Sequence, residues 1–303
     1  MATGLTLSDT SSLEDMSAIM IANAIANIEP AGPTNQLVSR YDIPKGVKQI
    51  NVPIWGRNTA SALAEGIDIS VPEQLGVTVR NLTATEHGIL TFVSDKLVRQ
   101  NNESVMAHVG EVQGNAVGRL LESDLITLFD GFSVSAPGAG NAGTFLHIAA
   151  AISYLKTDNN TAFGPAPGTP VGVFHPEQIR RFVQESTGIT AGAAATAGMA
   201  AQPIPDGYSA EVLRNYYRGN ESVFNVPIYE SGVISRDGSG DSKGAIFVKE
   251  AIALAMETEI TAEEERDISL RGNEVVTTGN WGELEIVDEW GAEFYSATDA
   301  VFT

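Results

Sequence analysis

The feature that most restricts the fold of this chain is a helical pattern of unusual length. Apolar residues recur at three- and four-residue steps from about Ser94 to Asp130. The repeating positions are Val98, Val105, Val109, Val112, Ala116 and Leu120. A continuous helix of about 35 residues would be about 50 Å long, which exceeds the usual span in a globular domain. We therefore predict one long helix over 94–130.

Three glycines interrupt the good helix formers on one side of that helix. Gly110, Gly114 and Gly118 are spaced four residues apart, and each costs on the order of 1 kcal/mol of helix stability relative to alanine. We expect either a close approach by another backbone or a bend on this side. A membrane packing motif is excluded because Glu111 and Arg119 lie among the glycines.

Before the helix, the hydrophobic period changes to two, which is typical of half-buried β-strands. The alternating segments are 48–55, 67–71 and 76–80. The connection 56–66 is polar, with Leu63 as one candidate for burial. Two interpretations stay open: an ordinary antiparallel sheet with a long connection, or a protruding hairpin, since connections of this length are usually functional or mobile.

The chain that precedes these strands predicts an arm with little core of its own. A short amphipathic helix is expected over 16–28, and the Pro- and Gly-containing stretch 29–33 ends it. Such an arm either lies across a neighbouring subunit or folds back on its own domain.

The middle third, 133–243, has the pattern of a mixed α/β region. The stretch 187–202 has ten Ala or Gly in sixteen residues, so nothing anchors it and we expect a mobile surface loop. The other expected elements are helices near 145–155, 176–183 and 210–217 and strands at 171–174 and 223–229.

The last sixty residues predict strands again, at 245–256, 267–278 and 283–294. Residues 250–303 contain fourteen Asp or Glu and two Arg, so most of the negative charge lies here. The three consecutive glutamates at 263–265 are expected to form a solvated turn between strands.

Charge and composition exclude several classes of function. Lys and Arg total 18 against 38 Asp and Glu, a net charge of −20, which argues against binding to nucleic acid or anionic membranes through basic residues. The absence of cysteine excludes disulfides, thiolate metal sites and cysteine nucleophiles. No apolar run reaches the ~18 residues of a spanning helix, and no basic residue opens a secretory signal, so we expect cytosolic synthesis.

One glycine-rich loop has the spacing of a dinucleotide-binding fingerprint. Gly138–Gly143 matches Gly-x-Gly-x-x-Gly, but a real site needs a buried parallel strand directly before the first glycine. Residues 132–137 are partly polar and end in proline, and the candidate ribose acid, Asp158, lies in a predicted turn. A nucleotide-dependent soluble enzyme that uses this loop is kept as the weaker alternative, which binding of NAD or ATP would support.

A second loop matches the nucleophile elbow Gly-x-Ser-x-Gly. In Gly240–Gly244 the would-be nucleophile is Ser242. The elbow requires a buried strand before it and a helix after it, whereas here a polar turn precedes and the strand-like stretch 245–248 follows. A flexible turn is therefore expected.

The remaining chemistry-bearing residues form no motif. The histidines are far apart, which gives no support for a zinc site; they are His87, His108, His147 and His175. Carboxylate pairs such as Glu283 and Glu285 are most simply solvated. We therefore predict no catalytic residue, no cofactor, no metal site and no enzyme activity.

Four passages are informative through their order along the chain. They are 64–71, 92–98, 170–176, and 244–247 followed by 266–271 and 280–283. They resemble, in that order, passages of the tailed-phage major capsid proteins of the Hong Kong 97 type. The similar passages there are the return strand of the extended loop, the entry into the spine helix, an axial-domain strand that leads into a helix, and the closing strands. The resemblance covers about 45–300, with motifs that are individually weak.

The resemblance implies an α+β phage capsid fold. Its parts are an N-terminal arm, an extended β-hairpin loop, a long spine helix in a peripheral domain, and an α/β axial domain. The expected boundaries are 1–45 for the arm, 46–92 for the extended loop hairpin, 93–132 for the spine helix, 133–243 for the axial domain and 244–303 for the closing strands of the peripheral domain.

The resemblance also implies a function and partners. A chain of this family self-assembles into hexamers and pentamers that form an icosahedral head around double-stranded DNA, without sequence-specific binding and without a membrane. The region before residue 45 is too short for a fused scaffold, so a separate scaffolding protein is expected, together with a portal protein. The expected location is the virion capsid, assembled in the host cytoplasm. Because 49–79 contains no lysine, covalent cross-linking of the loop is not expected.

Four residues of the hairpin are the expected subunit-interface residues. A two-stranded hairpin is unstable alone, so we expect it to lie on an adjacent subunit. The candidates are Trp55, Arg57, Glu65 and Arg80. A cellular nanocompartment shell, which packages an enzyme, would share this fold and is the main alternative.

Overall fold

The computed structural model describes residues 32–60, 62–63, 65–66, 73–100, 104–158, 162–187, 222–224 and 226–298. Within them the helices are α1 (Thr34–Leu37), α2 (Asp95–Gln100), α3 (Ser104–Thr127), α4 (Phe145–Lys156) and α5 (Pro176–Thr187). The strands are β1 (Ser39–Asp42), β2 (Gln49–Trp55), β3 (Val77–Thr83), β4 (Thr85–Ser94), β5 (Val171–Phe174), β6 (Ser222–Val223), β7 (Val226–Glu230), β8 (Asp241–Phe247), β9 (Ile252–Asp267), β10 (Gly272–Glu285) and β11 (Gly291–Ala297). The expected elements at 16–28, 67–71 and 210–217, and the Ala/Gly-rich stretch after Thr187, lie outside the described residues.

The first sheet contains the longest strands, in the order β1-β9-β10-β4. β10 is antiparallel to both β9 and β4, and β1 is parallel to β9. The alternation on β10 directs Val275, Thr277 and Trp281 to the face that α3 covers, where all three are buried. The indole Nε1 of Trp281 donates to Asp124 of α3 at 3.1 Å, and its ring stacks on His87 at 4.4 Å. A mixed sheet under one helix is thus the first lobe of the molecule.

The long helix predicted over 94–130 corresponds to α2, α3 and a following 3₁₀ turn, Leu128–Gly131. The residues that join α2 to α3 are outside the described ranges. Helical spacing places Val117, Leu121 and Leu125 on one stripe of α3, and they enter the main core. Among the described helices, none is long and apolar enough to cross a membrane.

The glycines of α3 do not serve a close contact inside the described chain. No described atom lies within 4 Å of the position that a Cβ would take at Gly110, Gly114 or Gly118. Among the described residues, no other backbone approaches these glycines. Gly114 and Gly118 line an open groove of about 200 Å³ together with Val233 and Ile260.

The second sheet has the order β11-β8-β5-β7-β6, with α4 and α5 packed against it. Four aromatic rings form the centre of its core, with centroids 5.0 to 5.6 Å apart; they belong to Phe145, Phe174, Phe182 and Phe294. The buried Gln178 donates to the carbonyls of Ser242 and Phe294, which ties α5 to two strands. The α/β character predicted for the middle third is therefore present in this lobe.

Two turns carry the chain between the sheets. The 3₁₀ turn Lys249–Ala251 joins β8 to β9, and the 3₁₀ turn Asp288–Trp290 joins β10 to β11. They lie side by side, because the amide of Val248 donates to Trp290 and the amide of Ile286 donates to Ala251. The single strands predicted at 245–256 and 283–294 are therefore each two strands in different sheets.

Two further differences from the predictions concern the closing segment. The described part of this segment, 244–298, supplies strands to both sheets and not to the first alone. The glutamates 263–265 lie within β9, opposite Glu274–Val276 of β10, and the turn is at 268–271. They are exposed as expected, because β1 covers β9 only at Ala253–Met256 and the rest is an edge strand.

Candidate functional site

The backbone amides of the glycine-rich loop 138–143 donate hydrogen bonds to groups of the same chain. The amide of Gly140 donates to the Asp241 carboxylate at 2.9 Å, and the amide of Gly138 donates to the carbonyl of Tyr295. Thr144 caps α4 in a reciprocal pair with His147, so the helix N-terminus is occupied by its own side chains. The described residues place no strand directly before the loop. This arrangement is a structural turn.

The serine motif is also a structural feature. Ser242 lies in β8 with 1% of its surface exposed, and the chain continues as a strand where an elbow needs a helix. The turn before it is closed by the Asp237 carboxylate, which accepts the amides of Ser239 and Asp241. The expected flexible turn is therefore an ordered turn followed by a strand.

The described histidines have separate structural roles. His87 stacks on Trp281, and His147 caps α4. His175 accepts the amide of Glu177 at 3.1 Å at the start of α5. Desolvation lowers the pKa of His175 to about 4, and the charge of Arg236 adds to this. No group of three possible metal ligands occurs among the described residues.

Of the described parts of the molecule, the β2–β3 hairpin most clearly exposes an apolar surface. β2 and β3 form a separate antiparallel two-stranded sheet. Its inner face carries Val52, Ile54 and Leu82, which are buried against the first sheet near Ala253 and Val287. This packing fixes the base of the hairpin on its own subunit.

The opposite face of the same hairpin is apolar and exposed. Trp55 is paired across the strands with Val77, and Pro53 with Val79; directly opposed residues share a face of the sheet. Trp55 is 60% exposed and Val79 is 52% exposed. We call Pro53, Trp55, Val77 and Val79 the outer face. A side chain as large as Trp55 left in water within such a patch is typical of an interaction surface.

The four predicted interface residues do not form one cluster. Trp55 lies on the outer face, whereas Arg80 is opposite Val52 on the inner side. There, burial raises the pKa of Glu285, like-charged Asp288 adds to this, and the charge of Arg80 partly opposes it. Glu65 is exposed in the connection between β2 and β3.

Arg57 has an intramolecular role at the base of the connection. Its Nη1 is 2.5 Å from Asp158 Oδ1, and its amide donates to the carbonyl of Ala162. The hydrogen bond from Arg57 holds the pKa of Asp158 below its usual range. Both side chains are about half exposed, so this ion pair contributes little to stability. It ties the hairpin to the segment after α4 and uses the acid once considered for ribose binding.

The sequence analysis missed Pro53, Val77 and Val79 as members of the surface. A signal for them was present: in 52–55 both alternating sets of residues are apolar. A strand with one buried face requires only one such set, so the second set indicates a second contact.

Comparisons with known proteins identify the fold. No family model and no curated protein sequence matches the chain. Among solved structures, the capsid of Ralstonia phage GP4 matches with a TM-score of 0.71 over 100% of both chains at 9% identity. The head structure of Helicobacter pylori bacteriophage KHP40 matches with a TM-score of 0.65 at 11% identity, over 91% of this chain and 95% of that chain.

A cellular shell protein matches as well. The holo-SrpI encapsulin complex from Synechococcus elongatus gives a TM-score of 0.60 over 99% of both chains at 11% identity. Both kinds of shell protein thus match over nearly the whole of this chain. The chain has the α+β fold of the tailed-phage capsid proteins of the Hong Kong 97 type.

Proposed function

We propose that this chain is a major capsid protein that self-assembles into hexamers and pentamers of an icosahedral phage head. The observation that carries the proposal is the match to the Ralstonia phage capsid, which spans the whole of both chains. The exposed outer face gives the same proposal a physical basis, since a hairpin with apolar residues on both faces needs a second partner. A second copy of the chain supplies that partner in a shell.

The charge of the chain fits the enclosure of DNA without binding to its sequence. A net charge of −20 keeps the affinity of the subunit for phosphate low. We propose double-stranded DNA as the content, a separate scaffolding protein and a portal protein as partners, and the virion capsid as the location after assembly in the host cytoplasm. The interface roles of Trp55, Arg57, Glu65 and Arg80 belong to this proposal.

A nanocompartment shell is the second candidate, and the similarity to the encapsulin favours it. The two candidates differ in cargo and not in the subunit. Particles purified from the native source would contain nucleic acid in the first case and a specific enzyme in the second.

Electron microscopy of the expressed protein tests the proposal, with and without a candidate scaffold, alongside sedimentation. Closed shells, or rings of five and six subunits, are the expected result. A stable monomer or dimer under both conditions would contradict the proposal and would direct attention to nucleotide binding at 138–143.

Variants of the hairpin sharpen this test. Deletion of 56–66 removes the connection with Arg57 and Glu65, and the single change Trp55→Asp puts a charge on the outer face. Each should leave a folded subunit but abolish closed particles. Trp55→Phe is the matched control, since it keeps an aromatic ring on the outer face and should still assemble. Normal particles from Trp55→Asp would show that the outer face is not an assembly surface.

A further inference from the structure

Three cations surround one cavity at the end of the β9–β10 hairpin. Lys96 and Arg99 of α2 and Arg271 of the turn line a cavity of about 430 Å³. All three side chains are exposed, and none forms an ion pair within the described residues. The same turn carries Ile268 and Leu270, which are 81% and 41% exposed. We call these five residues the basic tip.

The carboxylates nearest to the basic tip are already committed. Arg266 donates to both oxygens of Asp95, at 3.1 and 2.9 Å. This hydrogen bonding lowers the pKa of Asp95, so the pair stays ionised. The Asp267 carboxylate accepts the amides of Ser269 and Leu270 and shapes the turn. Asp95 lines the same cavity and attracts Arg99 and Arg271. The basic residues Lys96, Arg99, Arg266 and Arg271 still outnumber Asp95 and Asp267, so the tip keeps excess positive charge on a chain whose net charge is −20.

An uncompensated acidic surface lies on the same hairpin. Glu265 of β9 is directly opposite Glu274 of β10. Two residues along each strand, Glu263 is opposite Val276. On the other side of β10, Val276 is opposite Leu90 of β4. Opposed residues share a face of the sheet, and like charges in that position destabilise it. None of the three glutamates forms an ion pair with the described chain. We call these five residues the acidic face, and Leu90 on it is 51% exposed.

The two surfaces are complementary to each other but cannot meet within one subunit. Each combines charge of one sign with exposed aliphatic side chains. They belong to one hairpin whose strand pairing fixes their separation, so the turn cannot fold back on its own strands. Contact between two copies satisfies both surfaces at once.

We propose that the basic tip of one copy docks on the acidic face of a second copy. Lys96 and Arg271 would then contact Glu263 and Glu265, and the aliphatic residues of the turn would cover Leu90. The proposal rests on the self-association of the chain that the proposed function requires. It adds a second contact, which is ionic and is separate from the outer face of the β2–β3 hairpin.

The short distance between the basic tip and the acidic face favours a second copy over a polyanion as the occupant. The acidic face begins at Glu274, only three residues after Arg271 of the basic tip, roughly 10 Å at ~3.3 Å per residue. This distance is close to the Debye length of about 8 Å at physiological salt. A phosphate backbone long enough to engage the tip would therefore be repelled by the glutamates beside it, whereas a surface that carries both signs is not.

Charge reversal of the full chain tests the docking. The tip variant is Lys96→Glu/Arg271→Glu, the face variant is Glu263→Lys/Glu265→Lys, and a fourfold variant combines them. Sedimentation gives the concentration at which half of the chain is associated, at low and at high salt. Each double variant should raise that concentration by about tenfold or more at low salt, because like charges then face each other. The fourfold variant should return towards the wild type.

The control for the tip variant is Lys156→Glu/Lys249→Glu. It makes the same change in net charge as the tip variant, at exposed positions away from the tip. It should shift association by no more than about twofold, as expected of a screened general charge effect. Wild-type association in both double variants, or a fourfold variant no better than either, would overturn the docking. If both double variants form normal shells, the docking is overturned and the proposed function stands. If the wild-type chain never associates, the docking and the proposed function are both overturned.

Discussion

Glu122 joins three parts of the chain through one buried carboxylate, and its removal is the sharpest test of the fold. Glu122 lies in the last two turns of α3 and is only 2% exposed. Its oxygens accept the Thr34 hydroxyl at 2.6 Å, the Thr34 amide at 3.2 Å and the Ser231 hydroxyl at 3.1 Å. Thr34 begins α1, and Ser231 follows β7. Glu122 therefore holds the start of the described chain and the second sheet against α3.

The expected loss of stability in Glu122→Ala follows from those three donors. Each buried donor without an acceptor costs about 1–3 kcal/mol. The low end applies, because the groove beside Gly114 and Gly118 adjoins Glu122 and admits water. We expect Glu122→Ala to lower the free energy of unfolding by about 3 kcal/mol. Glu122→Gln keeps the shape and one acceptor oxygen, so its loss should be about 1 kcal/mol.

The assay is urea unfolding of the full chain below its assembly concentration. Glu111→Ala, at an exposed position of the same helix, is the control and should change stability by less than about 1 kcal/mol. Desolvation raises the pKa of Glu122, although the hydrogen bonds from Thr34 and Ser231 oppose this. The folded state thus binds the proton at a higher pH than the unfolded state. The wild type should gain stability relative to Glu122→Gln as the pH falls through the raised pKa. Equal stability of Glu122→Ala and Glu111→Ala would refute the reasoning.

Two further predictions concern single positions. The pKa of His175 is lowered to about 4 in the folded chain, so the unfolded chain binds the proton at a higher pH than the folded chain does. The free energy of unfolding should therefore fall as the pH drops from about 6.5 towards 4. His175→Asn should flatten that slope in unfolding measurements. A Cβ at Gly282 would lie 2.0 Å from the carbonyl oxygen of Thr83, whereas nothing lies within 4 Å of one at Gly238. Gly282→Ala should therefore lower the melting temperature by about 10 °C or more and Gly238→Ala by only a degree or two; similar melting temperatures would contradict the strand packing described here.

The sequence predicted most of the helices and strands that bury one face, because burial of one face requires a regular spacing of apolar residues. The alternation at 48–55 and 76–80 corresponds to β2 and β3, and the apolar spacing at 145–155 corresponds to α4. Resemblance to the capsid family then supplied the order of the lobes, which the periodicity alone could not. The α+β capsid fold was therefore predictable before any coordinates.

The predictions that differ from the structure concern residues whose neighbours in space cannot be read from the hydrophobic pattern. Glu263–Glu265 break the alternation of a strand because β9 is an edge strand there, with water on its outer side. The glycines of α3 suggested a close contact, yet a sequence does not reveal whether a neighbour comes from the same chain. The sheet change at Lys249–Ala251 was not predictable, because the residues on both sides of the turn, 245–248 and 252–256, are apolar.

The paired turns between the sheets have a mechanical consequence. Two lobes joined by a single connection can swivel about it in any direction. Here Lys249–Ala251 and Asp288–Trp290 cross between the lobes together and are hydrogen-bonded to each other. The same lobes also share one hydrophobic cluster, which contains Phe247 of the second sheet and Leu254 and Trp281 of the first. The paired turns and this shared core together resist both twisting and bending of one lobe against the other. A subunit held together in this way moves as one body, so in the proposed shell the differences in local curvature would be taken up at the contacts between copies.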